Sequence, residues 1–161
     1  MEDLSLHILD VVENSVEAGA TEINIRVSED PARDRLELEI EDNGRGMDRE
    51  TAARALSPFH TTRTTRRVGL GLPLLAQAAR EAGGDIEISS EVGRGTKVTA
   101  WFRHGHIDRK PVGDIAATLA TLVAGHPEIH FTYEHRDGES DFRLDTDEMR
   151  RTPTRGGTNE R

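Results

Sequence analysis

Four stretches of this chain alternate apolar and polar residues one by one, and that alternation limits the fold more than any other feature. "TEINIRV" sets Ile23, Ile25 and Val27 to one side, "RLELEIED" does so with Leu36, Leu38 and Ile40, and "DIEISSEV" and "TKVTAWF" repeat the pattern. Successive side chains of a strand point to opposite faces, so a period of two describes a strand with one buried face and one wet face. The turn-like "SEDPARD" predicts antiparallel pairing of the first two strands, and the tight "GRG" of Gly93 and Gly95 predicts a hairpin for the last two. A sheet of this kind has a single apolar face to cover.

The segments between the strands supply the cover. "LHILDVVENSVEAGA" places Leu6, Leu9, Val12 and Val16 at helical spacing and ends near Gly19, a residue suited to the left-handed conformation that stops a helix. Its polar residues His7, Asp10, Asn14 and Glu17 share that spacing, and taken alone they describe the wet side of an amphipathic helix. A short helix is expected from about Asp48 to Leu56. A longer one starts near Pro73, carries Leu74, Leu75, Ala78 and Ala82, and closes at Gly83 and Gly84. The expected architecture is an α/β two-layer sandwich: a mixed, mostly antiparallel sheet with helices on one face.

Beyond His104 the pattern changes. Asp114 to Gly125 reads as a capped helix, "IHFTYEHR" and "DFRLDT" as a hairpin around Asp137 and Gly138, and the tail from Thr152 as disordered. The expected organisation is a main domain over 1–104, a small α-β-β extension over 105–150 that packs or meets a partner, and a tail over 151–161.

With 161 residues, 34% hydrophobic and 32% charged, the chain suits one globular domain and an extension. The absence of cysteine excludes disulfides and thiolate chemistry. A formal charge of −9 argues against a nucleic-acid partner, which needs clustered cations. No apolar run approaches the roughly 20 residues that cross a bilayer, and the Met-Glu-Asp start lacks the basic opening of a secretory signal. A cytoplasmic protein with no membrane partner is expected. His104, His106, His126, His130 and His135 have no metal-ligand spacing and are expected to be ordinary surface or core residues.

No Gly-Lys-Ser/Thr triplet is present, and the third glycine of a dinucleotide fingerprint is replaced by Arg49 after Gly44 and Gly46, and by Leu74 after Gly69 and Gly71. Other segments nevertheless invite a nucleotide. "EDNGRGM" is either a strand-ending turn or a carboxylate, Asp42, placed to accept a hydrogen bond from an adenine amine, with glycines that let backbone approach the ring. "VGLGLP" is either a flexible connector or a glycine loop whose amides greet phosphate at a helix start. "SPFHTTR" adds hydroxyl and cationic groups in Thr61, Thr62, Arg63, Arg66 and Arg67, and "GRGT" sets Thr96 at the start of a strand.

In order and spacing these segments, over about residues 1 to 104, resemble the ATPases shared by DNA gyrase B, the ninety-kilodalton heat-shock chaperone, sensor histidine kinases and MutL, the GHKL superfamily. "ENSVEAGAT" is similar to the MutL form of the first motif. "SPFHTTR…VGLGLPLLAQAAREAGGDIEISSEVGRGTKVTAWF" is similar to the histidine-kinase form of the rest. The resemblance implies the Bergerat ATP-binding fold, with ATP and magnesium as cofactors. It makes Asn14 the magnesium ligand, Asp42 the adenine-reading aspartate, Gly44, Gly46 and Met47 the close-approach segment, and Thr96 the adenine-side threonine. Gly69, Leu70, Gly71 and Leu72 become the phosphate loop, and Phe59 to Val68 the lid that carries Thr61, Thr62 and Arg63. Asp10, one turn before Asn14, falls where the family's ATPases carry a water-activating glutamate. The side chain is one methylene shorter, which places its carboxylate about an ångström further from the water and predicts weak hydrolysis.

The first motif begins within ten residues of the amino terminus, so the sequence reads as a free-standing member without a phosphoacceptor domain, with His7 in a packing or supporting role. Its length resembles anti-sigma-factor kinases. The resemblance implies an ATP-dependent regulatory protein kinase or slow ATPase acting with a protein partner or phosphoacceptor protein. The alternative is a switch that binds ATP without turning it over, and a homodimer is compatible with either.

Overall fold

The computed structural model of the chain describes residues 4–56, 71–105, 114–138 and 141–146. Helix α1 spans Leu4–Glu17, strand β1 Glu22–Asp30 and strand β2 Arg35–Asp42, with a single 3-10 turn at Pro31–Arg33 between the strands. Helices α2 (Arg49–Arg54) and α3 (Gly71–Glu81) follow, then β3 (Asp85–Glu91), β4 (Gly95–Arg103), α4 (Ile115–Gly125), β5 (His130–Arg136) and β6 (Asp141–Asp145). Among the described residues the strands form one sheet in the order β3-β4-β2-β1-β5-β6. All neighbours are antiparallel except β1 and β5.

The period of two does what the sequence predicts. Ile23, Ile25 and Val27 of β1, Leu36, Leu38 and Ile40 of β2, and Val98, Ala100 and Phe102 of β4 are all buried on one side of the sheet. On that side α1 packs against α3, α4 and β2, and α3 lies over β3 and β4. The opposite face is left to ion pairs, such as Arg26 with Glu39 across β1 and β2 and Arg35 with Glu37 along β2. The hairpin β5-β6 continues the same sheet from the free edge of β1, and Phe131 and Tyr133 join the common core.

Helix ends follow their signals. Gly19 is left-handed at φ 81°, and the amides of Gly19 and Ala20 close back on the carbonyls of Val16 and Ser15, the double bond of a glycine-stopped helix. Asp114 accepts the Ala117 amide as the cap of α4. Two readings need correction. The buried face of α1 is made by Leu4, Ile8, Val11, Val12 and Ser15, while Leu6 is 45% exposed and Leu9 and Val16 are only partly buried. In α3, Leu75, Ala78 and Ala82 are buried but Leu74 is 41% exposed. A helix held between a sheet and neighbouring helices buries a broad arc, and a single line of apolar residues does not locate its centre.

Candidate functional site

One row of residues crosses three strands at one end of the sheet. Asp42 closes β2, Thr96 lies opposite it on β4, and Ser90 lies opposite Thr96 on β3. All three belong to the helix-covered face, because each sits two residues beyond a core position: Ile40, Val98 and Ile88. The chain folds this way because the apolar alternation of each strand runs to this end of the sheet, where a polar side chain takes the next inward position.

Each member of the row is held. Asp42 Oδ1 accepts the Gly44 amide at 2.8 Å, and Oδ2 accepts the Ser15 hydroxyl, from α1, at 2.6 Å. Ser90 Oγ accepts the Met47 amide at 2.8 Å, donates to the Gly95 carbonyl at 3.0 Å and lies 2.8 Å from Thr96 Oγ1. Above the row opens a cavity of about 290 Å³. Val11, Asn14 and Ser15 of α1, with Ala18 just after it, form one wall, Met47, Thr51 and Ala55 another, and Leu72 with Ile40 and Val98 supplies apolar surface. An apolar slot with a few convergent polar groups at its base suits a flat ring with a polar edge.

The segment between Asp42 and Met47 approaches its neighbours too closely for side chains at two points. A Cβ on Gly44 would sit 2.9 Å from Ala18 Cβ, and Gly46, at φ 72°, would drive a Cβ into the Glu91 carbonyl. The same segment is tied to the end of α1: the Arg45 amide donates to the Ala18 carbonyl at 2.9 Å and its guanidinium to the Glu17 carbonyl at 3.0 Å. A cation at the carbonyl end of a helix also complements its dipole.

The sequence-predicted residues divide into three groups. Asn14, Asp42, Gly46, Met47, Leu72 and Thr96 line the cavity, and Gly44 braces Asp42 from behind. Asp10 and Gly71 do not line it; they meet beside it, where a Cβ on Gly71 would lie 3.0 Å from Asp10 Cβ. That puts the Asp10 backbone and the first turn of α3 in contact, one helical turn from Asn14. Thr61, Thr62, Arg63, Gly69 and Leu70, and the lid from Phe59 to Val68, lie outside the described residues. His7 is 3% exposed and belongs to the buried face of α1. Ser15, Ser90 and Arg45 are additions from the structure. Ser15 meets Asp42 from 27 positions away, Ser90 meets Met47 from 43 and Arg45 meets Glu17 from 28, and no local pattern announces these contacts.

A second polar cluster occupies the opposite end of the sheet. Glu29 Oε2 is 2.6 Å from His135 Nε2 and Oε1 is 2.9 Å from His104 Nε2, while the Tyr133 hydroxyl is 3.0 Å from His135 Nδ1. Burial pushes the Glu29 carboxyl up, but hydrogen bonds from His135 and His104 outweigh it and leave the group below its ordinary value. Burial, aided by the nearby Glu29 charge, pushes the Tyr133 hydroxyl up to about 12. This cluster binds β5 of the extension to β1 and the end of β4.

Residues 2–106 match the family described as histidine kinase-, DNA gyrase B- and HSP90-like ATPases. The chain is 41% identical to the sensor protein kinase FleS of Pseudomonas aeruginosa, over 57% of this chain and 23% of that one. It is 27% identical to the DNA mismatch repair protein MutL of Trichlorobacter lovleyi, over 89% of this chain and 30% of that one. It therefore spans less than a third of the length of either relative. Among solved structures, the ADP-complexed ATPase domain of Aquifex aeolicus MutL superposes with a TM-score of 0.51 at 16% identity, over 89% of this chain and 64% of that one.

Proposed function

The chain belongs to the histidine kinase-, DNA gyrase B- and HSP90-like ATPase family, and from that premise we propose that its cavity binds Mg-ATP and that the protein is a regulatory kinase or slow ATPase acting with a protein partner. One observation carries the reading: Asp42, Thr96 and Asn14, which lie far apart in sequence, converge on a single apolar slot. The adenine ring enters the slot between Val11, Met47, Leu72 and Val98, and its amine donates to Asp42. Gly46 brings backbone to the cavity wall, and Gly44 and Gly46 let the segment pack closely on Ala18 and on the Glu91 carbonyl.

The donor set fits a cation that arrives with the nucleotide. Among the described residues no cluster of three or more His, Asp or Glu side chains is placed to hold a metal, but Asn14 offers one neutral amide oxygen on the cavity wall. Magnesium keeps several waters and takes its remaining ligands from phosphate and one or two side chains, so Asn14 is the residue that would hold it, and the ion would neutralise charge on the phosphates. Asp10, on the same face of α1 and against the first turn of α3, is the group that would orient an attacking water or hydroxyl.

The shorter Asp10 favours a second reading, in which ATP is bound and not turned over, and nucleotide-dependent ordering changes the affinity for a partner. Following γ-labelled ATP with the purified chain, alone and in cell extract, separates these. Labelled protein supports the kinase, free phosphate the ATPase, and retained ATP with neither product the switch.

A further inference from the structure

Hydrogen-bond bookkeeping at the base of the cavity fixes more than the positions of the side chains. Ser90 has one hydroxyl proton and two lone pairs. Its Oγ stands within bonding distance of the Met47 amide, the Gly95 carbonyl and Thr96 Oγ1. The amide can only donate and the carbonyl can only accept. One lone pair therefore takes the Met47 proton, the Ser90 proton goes to Gly95, and the second lone pair is left for Thr96. All three contacts are satisfied together only when the Thr96 hydroxyl gives its proton to Ser90. The neighbouring Asp42 is subject to the same kind of constraint: its two oxygens accept from Gly44 and Ser15, and what it offers the cavity is further lone pairs.

We propose that Ser90 is a specificity-determining positioning residue of the nucleotide site: by taking the Thr96 proton it makes the base-reading edge of the cavity an array of acceptors only. This deepens the ATP-site reading and rests on it. Two acceptors side by side on β2 and β4 match a base that presents an exocyclic amine, which has two protons to give. They oppose a base that presents a carbonyl in the same place, because its lone pairs would face theirs without a proton between. Ser90 does not line the cavity itself, so its effect passes through Thr96. Free of Ser90, the Thr96 hydroxyl can rotate and donate, and a carbonyl becomes acceptable.

The test compares ATP with inosine triphosphate, in which a carbonyl replaces the amine, by calorimetric titration in magnesium buffer. The parent chain should bind ATP and discriminate against inosine triphosphate. S90A should lose about tenfold of that preference, the scale of one misdirected hydrogen bond in a desolvated site. S90T, which keeps a hydroxyl, should retain the preference. T96V removes the rotor while preserving shape and should lose as much as S90A, and S90A added to T96V should change the ratio no further. A purely structural role for Ser90 would weaken both nucleotides alike, and an unchanged ratio in S90A overturns the proposal. So does an unchanged ratio in T96V, whatever S90A does to folding, and so does a parent chain that binds both nucleotides equally. A parent chain that binds neither removes the ATP-site reading instead.

Discussion

Asp42 closes β2 at one end of the sheet, and Glu29 stands one residue before the close of β1 at the other. Both lie on the helix-covered side and both oxygens of each are engaged. The engagement differs. Asp42 is held by a backbone amide and a serine hydroxyl, small groups on its flanks, and its outer edge still faces an open cavity. Glu29 is clasped by two imidazoles that reach it from the end of β4 and from β5, and it does not line that cavity. A carboxylate braced by small donors keeps lone pairs for a ligand, whereas one clasped by large side chains becomes a joint between elements. In the function proposed for the cavity the first is a reading head, and the second is a fastening.

The largest expected effect comes from breaking the backbone at the cavity end. Gly46→Ala forces a side chain onto a left-handed residue and into the Glu91 carbonyl, and should destabilise the fold by roughly 3 kcal/mol, the sum of the two penalties. Gly138→Ala, near the clasped end, meets the same backbone requirement at φ 94° but has open space around it. It should cost about 1–2 kcal/mol. Urea midpoints of the two variants measure the difference, and equal losses would remove the close-approach argument for Gly46.

Next is the reading head itself. Asp42→Asn keeps shape but exchanges one acceptor oxygen for a donor, so ATP affinity should fall by roughly 10- to 100-fold, the worth of a charge-assisted hydrogen bond. Stability should change little, because the amide can still accept the Gly44 proton. Intact affinity by calorimetry would refute the assignment of Asp42 to the base edge.

These residues also mark how far the sequence could be read. The strands announce themselves because a period of two survives any partner, and helix ends because Gly19 and Asp114 act locally. Asn14, Asp42, Gly46 and Thr96 are legible because each sits in a motif of unusual residues. Ser15 and Ser90 are not: each is a small polar residue inside a regular element, and its meaning depends on a partner in another element. The parallel seating of β5 on β1 is equally hidden, since alternation identifies a strand and says nothing about which edge it will join. The exposed positions of Leu6 and Leu74 fail for a related reason, as the buried arc of a helix is set by what surrounds it.

Breaking the fastening should affect stability and spare the ligand. Glu29→Gln retains a partner for each histidine but loses the charge, and should destabilise by about 1–2 kcal/mol while leaving ATP affinity unchanged. The pH dependence has a definite sign. The Glu29 carboxyl is lowered in the folded chain, so its contribution is present above the ordinary glutamate value of about 4.5 and is lost as pH falls through the lowered one. The parent should therefore lose its advantage over Glu29→Gln below about pH 4.5. A constant difference in urea stability between pH 7 and pH 3 would show that the charge does not fasten the two strands.

The smallest effect tests whether a brace differs from a clasp in kind. Ser15→Ala removes the hydroxyl that holds Asp42 Oδ2, but Gly44 still holds Oδ1, and the freed oxygen faces a cavity that admits water. No buried donor is orphaned, so stability should change by less than about 0.5 kcal/mol. The carboxylate, now free to turn, should bind ATP severalfold more weakly because the ordering is left to the ligand. A drop as large as that of Asp42→Asn would mean that Ser15 touches the base itself, and no drop would mean that Gly44 alone fixes the carboxylate.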